Sequence, residues 1–195
     1  MEMPFDALDE VSDEALLVAF GNGDSGAART LTLRLTPRVL GFATRMLGGD
    51  RAEAEDVAQE AMLRLWRQAP DWRQGEARVT TWLYRVASNL CTDRLRKARG
   101  VALDTVPEPV DDTEGAEAGL QRAARAAALQ QALAELPERQ RQAVILRHIE
   151  RLPNPEIAQI MDIGVEAVES LTARGKRALA AALGPRREEL GYEDG

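Results

Sequence analysis

"RAEAEDVAQEAMLRLWRQ", residues 51–68, is the stretch that decides the fold class. Ala54, Val57, Ala58, Ala61, Met62, Leu65 and Trp66 recur at three- and four-residue steps, the spacing that lines up one side of an α-helix. Glu53, Asp56, Glu60, Arg64 and Arg67 fall on the other side. The acids lead and the arginines trail, which complements the helix dipole. Upstream, Ser12 or Asp13 can cap a short helix in "EALLVAFGNG". An apolar-periodic stretch then runs from about Gly26 to Leu47 and stops at "GGD". Pro37 lies inside it, and a kink or break is expected there because proline has no amide hydrogen to donate. Downstream, "APDWRQGEA" reads as a loop by its proline and glycine, and helix resumes at "VTTWLYRVASNLCTDRLRKARG", residues 79–100. Trp82, Val86 and Leu90, with Leu83 and Ala87 beside them, are the expected buried stripe of that helix.

The rest of the chain agrees with an all-α architecture. Apolar residues make up 45% of the 195 positions but aromatics only 4%, and β-branched runs at strand spacing are scarce, which favours closely packed helices over a sheet. The segment "GVALDTVPEPVDDTEGAE" (100–117) has two prolines, two glycines and only acidic charge, with no helical or strand period. It reads as a flexible acidic linker. Two small helical domains are therefore expected, at 12–99 and 118–184.

Function classes narrow quickly. The single cysteine, Cys91, excludes an internal disulfide and a cysteine-based zinc site. The lone His148 cannot build a typical metal site, and no phosphate loop or nucleophile-base pair is present. No enzyme activity, metal or other cofactor is expected. The acidic N-terminus has no apolar core of a signal peptide, and no apolar run reaches the roughly 20 residues of a membrane span. A cytoplasmic protein without membrane insertion is expected.

The formal net charge is −7, an apparent argument against nucleic acid. Six acids stand within residues 1–14 and six more within 104–117, with no base in either segment; removing those twelve from −7 leaves +5. Nucleic acid responds to the local potential within about 10 Å at ordinary salt. Locally, six bases (Arg78, Arg85, Arg94, Arg96, Lys97, Arg99) stand against one acid, Asp93, and Trp82, Tyr84 and Asn89 lie among them. Trp82 reads as core. Trp72, in the loop beside the strip, either stacks an unpaired base or pins the loop.

Near the C-terminus, "LPERQRQAVILRHIERLPNPEIAQIMDIGVEAVESLTARGKRALAAAL" has helix-turn-helix spacing. Asn154 can cap "PEIAQIM", with Pro155 at its first position; "DIG" is the turn, and a second helix starts near Val165. On that second helix Val168, Leu171, Gly175, Ala178 and Leu179 share a narrow arc and should pack inward. Glu169, Ser170, Ala173 and Arg177 point the opposite way, flanked by Arg174 and Lys176. One face for the fold and one for the major groove is what a recognition helix needs.

"AEDVAQEAMLRLW", then "TTWLYRVASNLCTDRLRK", a linker, and "LPERQRQAVILRHIERLPNPEIAQIM" together closely resemble bacterial RNA polymerase sigma factors of the two-domain extracytoplasmic-function (ECF) group, within the sigma-70 family. The resemblance spans about residues 12–183. It implies that Asp56, Gln59, Glu60 and Arg64 dock on the clamp coiled coil of the polymerase β′ subunit, and that the β flap is a second contact. It implies that Trp72, the loop Arg73, Gln74, Gly75, Glu76, Ala77, and Asn89 form the pocket for a flipped base of the −10 element. Basic Arg85, Arg94, Arg96 and Lys97 would hold the strand. It further implies that Glu169, Ser170, Ala173, Arg174, Lys176 and Arg177 meet the −35 duplex, and that an anti-sigma factor holds the protein inactive. Many relatives carry a Gly-Thr-Val run where this chain has Glu166, Ala167 and Val168, so its −35 sequence does not transfer. Asp162 stands where the turn often has glycine, and aspartate tolerates that left-handed conformation. A sigma-like decoy for an anti-sigma factor and a dimeric repressor are the rival readings, and the repressor leaves 51–97 without a role.

Overall fold

The computed structural model describes residues 11–73, 75, 77–101 and 117–186. Among them are eight α-helices and no strand. The first half holds α1 (Asp13–Gly21), α2 (Ser25–Met46), α3 (Arg51–Gln68) and α4 (Val79–Val101). The second holds α5 (Glu117–Glu135), α6 (Glu138–Val144), α7 (Asn154–Met161) and α8 (Val165–Leu183). Between α6 and α7 the chain makes one π-helical turn, Ile145–Ile149, and between α3 and α4 a short 3₁₀ turn, Ala69–Asp71. Most of the expected linker, and both Gln74 and Glu76, lie outside the described residues.

Local chemistry fixes the first three helix starts. Ser12 accepts the Ala15 amide (3.2 Å) to start α1, Asp24 accepts those of Gly26 (2.9 Å) and Ala27 (3.2 Å) to start α2, and Asp50 accepts that of Glu53 (3.1 Å) to start α3. Gly48 (φ 70°) and Gly49 (φ 94°) make the α2–α3 turn in a backbone region that other residues avoid. The start of α4 is different. Its Val79 amide is taken by Glu14 of α1 at 3.0 Å, across 65 positions of sequence.

Of the kink or break expected at Pro37, the break does not occur: α2 runs unbroken through it. Proline at 37 removes the hydrogen bond to the Leu33 carbonyl, but Leu33 is 59% exposed and Pro37 is also exposed, so water can take its place. The α3 prediction holds at both ends, and Ala54, Val57, Ala58, Ala61, Met62 and Leu65 are all buried against α2 and α4. On α4 the stripe is rotated from expectation. Val79, Leu83, Tyr84, Ala87, Leu90 and Cys91 are buried, whereas Trp82 and Val86 are only half-buried. Tyr84 meets Phe42 edge-on with ring centres 5.4 Å apart, and that aromatic contact turns the face.

In the second half α6 and α8 cross closely at Gly175. A Cβ there would stand 2.5 Å from Val144 Cγ2 and 3.3 Å from the Gln140 carbonyl oxygen. Val144 is buried and stiff at χ1, so it cannot yield cheaply. Gly175→Val is expected to cost about 2–3 kcal/mol in urea unfolding. An unchanged midpoint would show that the two helices can part without loss.

The two halves pack against each other. Arg141 of α6 donates to Met46 O at the end of α2 (2.6 Å) and to Ala134 O (2.7 Å) and Leu136 O (3.2 Å) at the end of α5. One guanidinium thereby satisfies carbonyls that helix ends leave open, on both sides of the junction. Burial lowers the Arg141 pKa from its ordinary value. Gln130 adds a bond to Arg45 O at 3.4 Å.

Candidate nucleic-acid interface

Four helices carry the residues in question. On α3, Asp56, Gln59 and Arg64 are exposed and Glu60 is half-exposed, on the side away from the buried stripe. Arg64 donates to Glu60 at 2.8 Å, and that bond holds the Glu60 carboxyl below its usual pKa. Leu63 is 48% exposed and falls three and four positions after Glu60 and Gln59, within the same polar stripe. Sequence reasoning passed over it; an apolar residue off the buried register was the signal.

In the loop before α4, Trp72 is half-buried and meets Trp82 edge-on, ring centres 6.2 Å apart at 89°. Its indole N–H is buried with no acceptor among the described residues. Trp72 thus packs against α4 through Trp82 while the residue stays partly accessible. Arg73, Ala77, Arg85, Asn89, Arg96 and Lys97 are exposed, and Gly75 holds φ 92°. Arg94 is tied to Glu53 of α3 at 2.6 Å, and Arg96 is 3.7 Å from Asp93. Among the described residues Arg85 and Lys97 form no ion pair. Asn89 and Arg96 look into a cleft of about 390 Å³ closed by the second half of the chain.

Helices α7 and α8 form the turn that the spacing predicted. Asp162 adopts φ 53°, ψ 53°, the left-handed conformation expected of it, and α8 begins at Val165. The cap differs. Pro153 occupies the N-cap position, and the Asn154 side chain instead reaches Glu169 of α8 at 3.5 Å. Glu169, Ser170, Ala173, Arg174 and Arg177 form the exposed face, while Val168 and Gly175 are buried and Leu171 and Leu179 half-buried. Ala178, expected inward, is exposed; α6 meets α8 at Gly175, and α5 lies beside Lys176 and Leu179. Lys176 is exposed at the flank and lines, with His148 and Leu179, an apolar groove beside α5. Burial and the Lys176 charge hold the His148 pKa below its ordinary value. Cys91 is wholly buried and burial pushes its thiol up to about 12, which makes it a packing residue.

Exposed amide and cationic groups along α4, and the solvent face of a helix-turn-helix, define an all-α protein with two faces suited to nucleic acid. Comparison with known proteins makes this specific. The chain matches Sigma-70 region 2 over residues 31–101 and Sigma-70, region 4 over residues 126–179. It is 32% identical over 189 residues to the RNA polymerase sigma-H factor of Pseudomonas aeruginosa, covering 91% of this chain and 97% of that one. It is 33% identical over 178 residues to the ECF RNA polymerase sigma factor SigM of Mycobacterium tuberculosis, covering 90% of this chain and 86% of that one. Among solved structures, CnrH in complex with the cytosolic domain of CnrY matches with a TM-score of 0.65 at 24% identity, over 89% of this chain and 97% of that one. That likeness supports the fold. The chain belongs to the ECF sigma factors of the sigma-70 family.

Proposed function

We infer that this protein binds core RNA polymerase and directs it to promoters, with α8 reading the −35 element as duplex and α4 holding the −10 element as single strand. The observation that carries the reading is the pairing of two exposed faces of different chemistry in one chain of this family: a helix-turn-helix face on α8, and an amide-bearing basic face on α4. Duplex recognition needs a helix held out from its fold, and strand capture needs hydrogen-bonding and cationic groups along a groove. The docking face for polymerase is the outer stripe of α3, comprising Asp56, Gln59, Glu60 and Arg64, and Leu63 extends it.

The −10 residues are Trp72, Arg73, Gln74, Gly75, Glu76, Ala77, Arg85, Asn89, Arg94, Arg96 and Lys97. The −35 residues are Glu169, Ser170, Ala173, Arg174, Lys176 and Arg177. Chemistry stays with the polymerase, and the sigma subunit works beside it in the cytoplasm. The solved RpoE of Bartonella quintana, in complex with the anti-sigma factor NepR, has a similar fold at 20% identity, which supports an anti-sigma factor as a further partner here.

The test is transcription in vitro with purified core polymerase on a genomic template library, followed by sequencing of the transcript starts. Starts at defined sites that depend on this chain bear the reading out; starts no different from core alone refute it. At the −35 face, Arg174→Ala is expected to weaken binding of the selected promoters by about 1–3 kcal/mol and to leave core affinity unchanged.

A further inference from the structure

A side-chain hydrogen bond joins the two helices of the helix-turn-helix on their exposed side. The Asn154 amide nitrogen, at the first position of α7, donates to Glu169 Oε1 on α8 at 3.5 Å, across 15 positions of sequence. Asparagine is a strong capping residue, yet Pro153 holds the N-cap position and no side chain bonds there. The Asn154 carbonyl oxygen is buried and has no donor among the described residues. A buried acceptor left unpaired costs stability. Turning the amide over would set that oxygen against the carboxylate, so Glu169 decides which way Asn154 faces. The bond is long, and its part is orientation rather than stability.

Glu169 is the fifth residue of α8 and is exposed on the face that also carries Ser170, Ala173, Arg174 and Arg177. The first turns of a recognition helix are the part that reaches base edges. Phosphate repels a carboxylate, so an acid on this face works against affinity unless it meets an amino group. In the major groove cytosine offers its N4 amine. Guanine offers only acceptors there, and thymine an acceptor and a methyl group. Adenine sets its amine beside the N7 acceptor, which a carboxylate cannot answer. With Oε1 on Asn154, Glu169 keeps Oε2 for a base, and fewer torsions are left to fix when the base arrives.

We propose that Glu169 selects cytosine at one position of the −35 element and that Asn154 is the residue that positions its carboxylate. The proposal rests on α8 being the −35 helix and adds to that reading which base the acid prefers and what orients it. Arg174 has a different constraint, since its Nε donates to Ser170 O at 3.3 Å within α8 itself. Asn154 lies on the preceding helix, and its effect on sequence choice passes through Glu169.

The test offers holoenzyme, assembled from core polymerase and the full chain, a promoter library randomised over the −35 element, and sequences the bound templates. The wild type is expected to favour cytosine on one strand at one position, about tenfold over guanine or thymine. E169A should level the four bases there, and E169Q should move the preference to adenine, whose N6 and N7 match a glutamine amide. N154A removes the donor, and N154D keeps the shape of asparagine while setting an acid against Glu169. Each should cut the cytosine preference about threefold or more and leave choices at the other positions unchanged. A folding defect would instead weaken all templates alike. An E169A distribution equal to the wild type's overturns Glu169 as the reader. Asn154 variants that keep the cytosine preference, or lose binding without regard to sequence, overturn its positioning role. A wild type that selects no −35 sequence refutes the −35 reading of α8 and this proposal with it, whereas selection that the Glu169 variants leave untouched refutes the proposal alone.

Discussion

Reversing two charges on α3, as D56R/E60R, is expected to lower affinity for core polymerase by about 30- to 1,000-fold and to leave folding intact. Both sides of that expectation follow from where the residues sit. Asp56 is exposed and Glu60 half-exposed, opposite a stripe of six buried residues, so neither supports the core. Surface changes of this kind typically move stability by about 0.5 kcal/mol or less. Placing arginine at 60 sets it against Arg64 one turn on, and like charges at that spacing cost only a few tenths of a kcal/mol. At a protein interface the scale differs, since an anchoring residue is worth about 2–4 kcal/mol and a misplaced charge is buried without a partner.

The pH response has a definite sign. Arg64 holds the folded Glu60 pKa below its unfolded value, so whatever the pair contributes is present above the unfolded value and fades as pH falls through the folded one. At neutral pH the Glu60 carboxyl is therefore fully charged. Affinity is measured with labelled core polymerase, and unfolding by circular dichroism. A double variant that binds core as tightly as the wild type would move the proposed docking face elsewhere on the molecule.

The periodic features were legible in the sequence. Helix α3 begins and ends where its spacing places it, at Arg51 and Gln68, because one buried face and the local cap of Asp50 determine it. The left-handed turn at Asp162 and the start of α8 were equally readable, since both depend on residues within a few positions. What escaped depends on distant partners. Glu14 taking the Val79 amide, Arg141 on the carbonyls of α2 and α5, and the bonds of Glu138, Glu150 and Glu156 to α4 leave no period or motif. Asn154 had the right identity for a cap and found Glu169 instead. The α4 stripe was rotated by Tyr84, whose ring packs on Phe42 while its hydroxyl meets Glu150, an acid 66 positions away. The candidate site divides the same way: side-chain types were readable from the basic strip, but which bases stay available was not.

Asn89→Ala is the sharpest probe of strand capture, with an expected 5- to 150-fold fall in promoter opening. Trp72→Ala would be a poorer one. Trp72 is half-buried against Trp82, so its loss also loosens the loop, and a weaker open complex would have two causes. Asn89 is exposed, and its removal costs the fold little. Its amide can both donate and accept, as a base edge requires, and such a paired contact is worth about 1–3 kcal/mol of recognition. Extruding a base costs a few kcal/mol, so a loss of this size falls directly on the opening equilibrium. Permanganate reactivity of unpaired thymines reports that equilibrium, and core affinity measured in parallel should not change. On a template already mismatched over the −10 element the cost of unpairing is prepaid, so the defect should shrink. A defect in core binding, or reactivity equal to the wild type's, would remove Asn89 from the strand and assign the basic face of α4 to another partner.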